Sequence, residues 1–229
     1  IMKAKKKILD KFTNKKAIIA IIGLGYVGLP LAKCYIESGY NVVGIDVDDS
    51  KVNSLNNGKS YLRSISDIEI RKWNKKGFRV FTEFSKISNV DAAIICVPTP
   101  LNNKKEPDLS YVVNTANEIN KYKKSGITIS LESTTYPGTT SEILLPIFQS
   151  KNFRAGRDFF LVYSPEREDP GNKDFNTASI PKIVSGLTKN CLDIGVSLYG
   201  GIIDKLVKVS SVEAAEMTKL LENIHRSVN

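Results

Sequence analysis

Stretches of consecutive apolar residues alternate along the chain with segments whose apolar residues recur every three or four positions. The apolar stretches are rich in β-branched residues and occupy residues 17–22, 41–45, 92–97, 127–131, 159–163, 182–185 and 206–209. The amphipathic segments occupy residues 28–38, 49–56, 109–122, 140–149 and 189–199. Strands that are apolar throughout are typical of a parallel sheet buried on both faces by helices. The pattern therefore predicts a doubly wound α/β fold with a Rossmann-type parallel sheet.

The last segment, residues 210–229, predicts the start of a long helix. Ser210 or Ser211 is suited to cap its N-terminus. Its apolar residues are Val212, Ala215, Leu220, Ile224 and Val228. Neither glycine nor proline ends the pattern, so the helix is expected to continue beyond Asn229. We expect a basic N-terminal extension at residues 1–15, an α/β domain at residues 16–209 and this helix from residue 210.

Composition and charge narrow the class of protein. The chain is 41% hydrophobic and 25% charged, as in soluble globular proteins, and its net charge is +9. It has no apolar run of about 20 residues and no signal-peptide pattern, so no membrane partner and a cytoplasmic location are expected. The lysines are spread along the chain, so nucleic acid is not expected as a partner. Cys34, Cys96 and Cys191 lie in or beside apolar segments, which favours buried thiols over disulfides or a metal site.

A glycine-rich motif joins the first predicted strand to the first predicted helix. Gly23, Gly25 and Gly28 form the pattern GxGxxG in GLGYVG. The first glycine permits a tight turn, the second allows close approach of a pyrophosphate, and the third allows the helix to pack on the strand. The amides and partial positive charge of the helix N-terminus attract phosphate. We predict a dinucleotide site that also includes Tyr26 and Val27 of the same loop.

An acidic residue at the end of the second strand indicates which dinucleotide is bound. Asp46 follows Gly28 by 18 residues, and its carboxylate is suited to accept hydrogen bonds from the adenosine ribose. A carboxylate there repels the additional phosphate of NADP, so NAD is the predicted cofactor. The alternative is a strand-to-helix turn in an α/β protein that binds no dinucleotide.

Six sequence blocks carry a family resemblance. They are IAIIGLGYVGLPLA at 19–32, GIDVDDSKVNSLNNGKSY at 44–61, CVPTPL at 96–101, ESTTYPGTT at 132–140, YSPEREDPGN at 163–172 and EMTKLLEN at 216–223. In this order they resemble the amino-terminal half of the UDP-glucose/GDP-mannose dehydrogenase family, the nucleotide-sugar 6-dehydrogenases. The block YSPEREDPGN most resembles the branch that acts on UDP-N-acetylhexosamines, especially UDP-N-acetylglucosamine.

The resemblance implies two successive NAD-dependent oxidations at C6 of the sugar, through a cysteine thioester. It also implies additional cofactor contacts. Lys51 resembles a basic residue near the adenosine, although a plain surface lysine is the alternative. Thr99 follows a buried strand at the carboxyl edge of the sheet and is expected to line the cofactor, with a rigid turn between two prolines as the alternative. Thr134 is expected beside the nicotinamide, where it would position the hydrolytic water.

The remaining catalytic residues are also implied by resemblance. Glu166 resembles the family carboxylate that handles a proton, and an exposed turn glutamate is the alternative. Lys219 and Asn223 share one helix face at i, i+4 and resemble a pair that stabilises negative charge on the C6 oxygen. A departure from the glucose-oxidising branch leaves the base open, because Pro170 stands where that branch has a second glutamate.

The family nucleophile, a cysteine in a GGxCxPxD loop, has no counterpart in the sequence. The chain is therefore expected to bind NAD and to form a homodimer through its last helix, but not to complete the oxidation. Three interpretations stay open. We favour the NAD-binding part of a UDP-N-acetylhexosamine 6-dehydrogenase over a non-catalytic NAD-binding or dimerisation module derived from this family. A different NAD-dependent acid dehydrogenase is disfavoured, since it gives no reason for the ESTTYPG and SPEREDPG blocks.

Overall fold

An eight-stranded sheet forms the centre of the computed structural model, which describes residues 2–102, 107–166 and 181–228. The strands are β1 Ile18–Ile22, β2 Asn41–Ile45, β3 Arg79–Phe81, β4 Ala92–Ile95, β5 Thr128–Leu131, β6 Phe160–Tyr163, β7 Lys182–Gly186 and β8 Leu206–Lys208. Their order across the sheet is β3-β2-β1-β4-β5-β6-β7-β8. The strands from β3 to β6 are parallel to one another. The predicted doubly wound α/β fold is confirmed.

The pairing of β6 with β7 differs from the all-parallel sheet predicted from the sequence. These two strands are antiparallel, with Tyr163 opposite Ser185, and β8 then runs parallel to β7. The apolar pattern reports burial on both faces of a strand, not its direction. Since Ile183 and Val184 are both buried, β7 has the sequence of an inner parallel strand without being one.

Helices cover both faces of the sheet. They are α1 Met2–Thr13, α2 Gly28–Glu37, α3 Asp49–Asn56, α4 Asp67–Lys75, α5 Ser110–Tyr122, α6 Leu145–Phe148, α7 Lys189–Gly200 and α8 Val212–Val228, with a 3-10 helix at Phe84–Asn89 and a π-helical turn at Thr139–Leu144. Alternate residues of β1 belong to two separate cores: Ile19 and Ile21 to one, Ala20 and Ile22 to the other. Because side chains alternate along a strand, these cores lie on opposite faces of the sheet.

Residues 2–13 of the expected basic extension form α1, which packs on the domain. Ile8 and Phe12 are buried in the core, and Lys11 Nζ lies 2.6 Å from Asp91 Oδ1. Lys5 reaches Asp193 of α7 at 2.5 Å. The lysines therefore lie on the outer part of a helix whose apolar side is covered. Within the described ranges no helix is both long and apolar enough to cross a membrane. The cytoplasmic location stays a prediction.

Helix α8 has a buried and an exposed face, and the predicted apolar stripe is divided between them. Val212 and Ala215 are buried against the domain, so they are not available to a partner. Among the described side chains of α8, which do not include the predicted Val228, the large apolar ones that are exposed are Met217, Leu221 and Ile224, and only Ile224 of these belonged to the predicted stripe. The reason is that the helix uses its first two turns to dock on its own domain.

Candidate functional site

A cleft of about 920 Å³ opens at the carboxyl ends of β1, β2, β4 and β5. In an open α/β sheet this is the edge at which ligands bind. The residues predicted from the sequence that line it are Gly23, Gly25, Tyr26, Val27, Asp46, Lys51, Thr99, Thr134 and Glu166. The fold therefore brings together residues that are up to 143 positions apart in sequence, from Gly23 to Glu166.

The glycine loop has the geometry of a phosphate cradle. Gly23 has φ +85°, a left-handed conformation that favours glycine, and a Cβ on Gly28 would overlap the Gly23 carbonyl oxygen. A Cβ on Gly25 would meet no atom within 4 Å, so the backbone there faces open space. Helix α2 begins at Gly28, so the partial positive charge of its N-terminus lies beside this loop. The loop fits a pyrophosphate group.

Asp46 is held rigidly at the end of β2. Its Oδ2 accepts a hydrogen bond from the Leu24 amide at 2.8 Å, and its Oδ1 accepts one from the Asp48 amide at 3.0 Å. Lys51 Nζ lies 3.6 Å from Asp46 Oδ2, so the structure brings these two predicted residues together. The carboxylate is fixed by the glycine loop itself and faces the cleft beside a partly exposed lysine.

Two hydrogen bonds from side-chain hydroxyls join the segments that follow β4 and β5. The Thr99 hydroxyl donates to the Thr134 carbonyl oxygen at 2.8 Å, and the Ser133 hydroxyl donates to the Val97 carbonyl oxygen at 2.6 Å. The donor hydrogen of Thr99 is thus used within the protein, and only its oxygen can contribute to a ligand contact. Thr134 is half-buried at the wall of the cleft, where its position depends on Thr99.

Glu166 lies in the turn that follows β6. Its amide donates to the Glu132 carbonyl oxygen at 3.3 Å, and its own carbonyl oxygen accepts a hydrogen bond from Lys219 Nζ. Lys219 is almost fully buried, and Asn223 is half-buried one turn further along α8. The lining of the NAD-sized cleft includes Glu166 but neither residue of α8. Residues 167–172, the rest of the block YSPEREDPGN with its departure at Pro170, lie outside the described residues.

The sequence analysis missed a charged pair at this edge of the sheet. Lys182 Nζ lies 2.7 Å from Glu132 Oε2, with both side chains buried. Burial raises the pKa of Glu132 to about 7, against the opposing effect of Lys182. Burial also works against the charge of Lys182, but the two carboxylates Glu132 and Glu166 outweigh it and raise the Lys182 pKa. A charge directly beside a buried strand needs a partner, and that signal could have drawn attention to both residues.

Cys34, Cys96 and Cys191 form no disulfide. Cys96 and Cys191 are buried, as predicted, whereas Cys34 is half-buried on α2. Burial raises the pKa of Cys96 well above its ordinary value, although this residue lines the cleft. In the described parts of the chain, no group of three or more His, Cys, Asp or Glu residues could hold a metal ion.

Comparisons with known proteins agree with this geometry. The UDP-glucose/GDP-mannose dehydrogenase family, NAD binding domain, matches residues 17–203. The chain is 36% identical over 215 residues to a UDP-N-acetyl-D-glucosamine 6-dehydrogenase of Pseudomonas aeruginosa, covering 92% of the chain and 50% of that protein. It is 33% identical over 228 residues to a UDP-N-acetyl-D-mannosamine dehydrogenase of Methanococcus vannielii, covering 96% and 51%.

A solved structure gives the same result. The UDP-N-acetyl-mannosamine dehydrogenase Cap5O from Staphylococcus aureus superposes with a TM-score of 0.84 at 30% identity, covering 93% of this chain and 52% of that one. The chain thus spans about half the length of the relatives it matches. The chain belongs to the UDP-glucose/GDP-mannose dehydrogenase family, contains its NAD-binding domain, and uses NAD as its cofactor.

Proposed function

We propose that this chain is the NAD-binding half of an enzyme that oxidises C6 of a UDP-N-acetylhexosamine to the carboxylate, using two NAD. One observation carries the proposal: Glu166 is held by Lys219 at the wall of the NAD cleft. A candidate base at the wall of the cleft is thus in contact, through its backbone carbonyl, with a candidate oxyanion donor on α8. The names of the P. aeruginosa and M. vannielii relatives support the substrate class. We favour UDP-N-acetylglucosamine because of the resemblance in the block YSPEREDPGN.

In this proposal the glycine loop holds the pyrophosphate of NAD. Asp46 accepts hydrogen bonds from the adenosine ribose, Lys51 adds a positive charge beside it, and Thr99 and Thr134 line the nicotinamide end. The space beside Gly25 and the fixed carboxylate of Asp46 support these roles. NAD, when bound, accepts hydride in each oxidation. The protein orients C6 and manages the proton and the charge on the C6 oxygen.

Glu166, Lys219 and Asn223 are the proposed catalytic residues of this chain, together with Thr134. Glu166 accepts the proton released from the C6 hydroxyl or from water held by Thr134. Lys219 and Asn223, one helical turn apart, donate hydrogen bonds to the C6 oxygen as it gains negative charge. Lys219 is buried against the Glu166 turn, which supports this assignment.

The nucleophilic thiol is proposed to come from outside these 229 residues. Cys191 is fully buried, and Cys34 is on a helix away from the residues that line the cleft. Cys96 lines the cleft, but burial raises its pKa and disfavours the reactive thiolate. The 229-residue chain therefore should bind NAD without forming acid by itself.

Two measurements test the proposal. The intact protein, given NAD and UDP-N-acetylglucosamine, should produce two NADH for each uronic acid, and UDP-N-acetylmannosamine is the competing substrate. Binding of NAD by the intact protein without oxidation of either sugar would favour the non-catalytic NAD-binding module. The 229-residue chain serves as the matched control, since sustained acid formation by it would make one of its three cysteines the nucleophile. Titration of Asp46→Ala with NAD and NADP tests the ribose assignment, which fails if the NAD preference survives.

A further inference from the structure

Lys182 and Glu132 form a buried ion pair beside the proposed catalytic carboxylate. Lys182 Nζ lies 2.7 Å from Glu132 Oε2, and the two side chains are 7% and 0% exposed. Glu132 follows β5 and lines the cleft, whereas Lys182 begins β7. Neither residue belongs to the set proposed to bind NAD or to act on the sugar, so their part in the function is open.

The pair contacts the Glu166 turn at three points. Lys182 Nζ donates to the Pro165 carbonyl oxygen at 3.1 Å and lies 4.0 Å from Glu166 Oε2. The Glu166 amide donates to the backbone carbonyl oxygen of Glu132 at 3.3 Å. The carbonyl before Glu166, its amide and its carboxylate are thus all held by these two residues. Lys219 Nζ donates a hydrogen bond to the next carbonyl oxygen, that of Glu166 itself.

The ammonium group of Lys182 lies between the carboxylates of Glu132 and Glu166. Its Nζ lies 5.2 Å from the centre of the Tyr199 ring. Burial raises the pKa of four neighbouring groups, which are uncharged at neutral pH: Tyr35, Cys96, Tyr163 and Tyr199. Among the described residues, Glu166 is a further charged group in contact with the pair, since its Oε2 lies 4.0 Å from Lys182 Nζ. Without Lys182, Glu166 and an ionised Glu132 would repel each other in a poorly solvated site once the pH exceeds the raised pKa of Glu132.

Stability alone is a weak explanation for such a pair. Burying two charges costs about as much as their attraction returns, and neutral replacements are often as stable. We propose that Lys182 is a positioning residue which, anchored by Glu132, fixes the turn and the carboxylate of Glu166 for proton transfer. This inference rests on the proposed function, because that function assigns the proton to Glu166.

A set of three variants of the intact protein separates positioning from stability. Lys182→Met removes the ammonium, and Lys182→Met with Glu132→Gln removes both charges, so that no unpaired charge stays buried. Lys33→Met is the control, because Lys33 pairs with Glu69 at 2.5 Å and neither residue lines the cleft. Each variant is measured for NAD affinity, kcat, KM for the UDP-sugar, thermal unfolding and, by NMR, hydrogen exchange of the Glu166 amide.

The double variant should unfold near the wild-type temperature and bind NAD normally. Its kcat should nevertheless fall by about 10- to 100-fold, with KM within about twofold, because a misplaced reacting group lowers the rate of chemistry. The Glu166 amide should exchange faster in both Lys182 variants and not in Lys33→Met. A double variant that regains wild-type kcat, or an unchanged Glu166 amide, overturns the inference. Wild-type protein that oxidises no UDP-N-acetylhexosamine refutes the proposed function instead, and amide exchange still decides whether Lys182 fixes the turn.

Discussion

Gly25 and Gly28 belong to one motif but have opposite surroundings, and this difference gives a prediction at the scale of single residues. A Cβ at Gly28 would overlap the Gly23 carbonyl oxygen, so Gly28→Ala should destabilise the fold by at least about 1 kcal/mol. A Cβ at Gly25 meets no atom within 4 Å, so Gly25→Ala should fold normally. It should still bind NAD weakly, because the methyl group fills the space of the pyrophosphate.

Thermal unfolding and NAD titration of the two variants check this prediction. Wild-type protein is the reference for both measurements. Gly25→Ala with full NAD affinity would mean that the pyrophosphate lies elsewhere. Gly28→Ala with unchanged stability would mean that α2 can move away from β1 at little cost.

The sequence predicted residues whose function depends on local spacing and missed those whose function depends on distant partners. Gly23 and Asp46 follow from a motif within one βαβ unit, and the structure brings both to the cleft. Glu132 and Lys182 are 50 residues apart, Glu132 directly after the last residue of β5 and Lys182 at the first residue of β7. Sequence spacing cannot show that the end of β5 and the start of β7 meet at one edge of the sheet, across β6. Only the fold reveals that the two side chains contact each other, with Lys182 Nζ 2.7 Å from Glu132 Oε2.

At the scale of elements, Glu216 fastens α8 to the domain. Its Oε2 accepts from the Gly138 amide at 2.7 Å, and its Oε1 accepts from the amide and the hydroxyl of Thr140 at 2.9 and 2.7 Å. Glu216 is buried, so its removal leaves these donors without an acceptor. We expect Glu216→Ala to lower the free energy of unfolding by about 2–4 kcal/mol.

Glu213 on the same helix is the matched control for Glu216, because it is acidic, lies in the first turn and is exposed. Glu213→Ala should cost less than about 1 kcal/mol, the scale of a helix-dipole effect. Denaturant unfolding measures both variants. Equal losses would show that Glu216 contributes helix-terminal charge alone. Because Lys219 follows Glu216 by one turn, loss of this anchor should also weaken the hold on Glu166.

The exposed face of α8 is the proposed homodimer surface. Met217, Leu221 and Ile224 are spaced at i, i+4 and i+7 and are 43%, 57% and 50% exposed. An apolar row of this kind is typical of a helix that packs against a partner. Ile224→Asp should weaken self-association, because dimer formation would then bury a charge. Stability of the monomer should not change.

Ile68 on α4 is the control for Ile224, since it is also an exposed isoleucine on a helix, with 71% exposure. Ile68→Asp should leave association unchanged. Analytical ultracentrifugation of wild type and the two variants provides the test. A wild-type protein that stays monomeric at high concentration, or equal effects of the two substitutions, would argue against α8 as the interface.

Elements with a strong repeating pattern were predicted well from the sequence, and short or polar ones were not. The bounds of β2 and α3 agree with the prediction at both ends. Helix α4 and the short strand β3 were missed, although α4 carries a capping box between Ser66 and Glu69 that the sequence displays. The predicted helix at residues 140–149 begins with a π-helical turn, because Glu216 binds its first amides from another element.

At the scale of the whole molecule, the buried Glu132 and the paired Glu69 make stability change with pH in opposite directions. Burial raises the pKa of Glu132 to about 7, whereas the hydrogen bond from Lys33 lowers the pKa of Glu69 to about 2. The ordinary glutamate value is 4.5. Stability from Glu69 is present above pH 4.5 and is lost as the pH falls toward 2. The folded chain should therefore be most stable in mildly acidic solution.

Glu132 determines how the stability of the fold changes as the pH rises from mildly acidic to neutral. Between pH 4.5 and about 7 the folded state holds a proton on Glu132 that the unfolded state has released. Stability from this group is therefore complete below pH 4.5 and decreases as the pH rises through about 7, by an amount on the order of 3 kcal/mol. Glu216, whose pKa burial also raises, adds a change of the same sign.

Denaturant unfolding at pH 5, 6, 7 and 8 should show this decline in the wild type and a smaller one in Glu132→Gln. Glu69→Gln should keep the neutral decline and lose part of the change at acidic pH. Parallel profiles for wild type and Glu132→Gln would mean that Lys182 keeps Glu132 ionised throughout this range, and that the pair acts as a permanent ion pair beside the cleft.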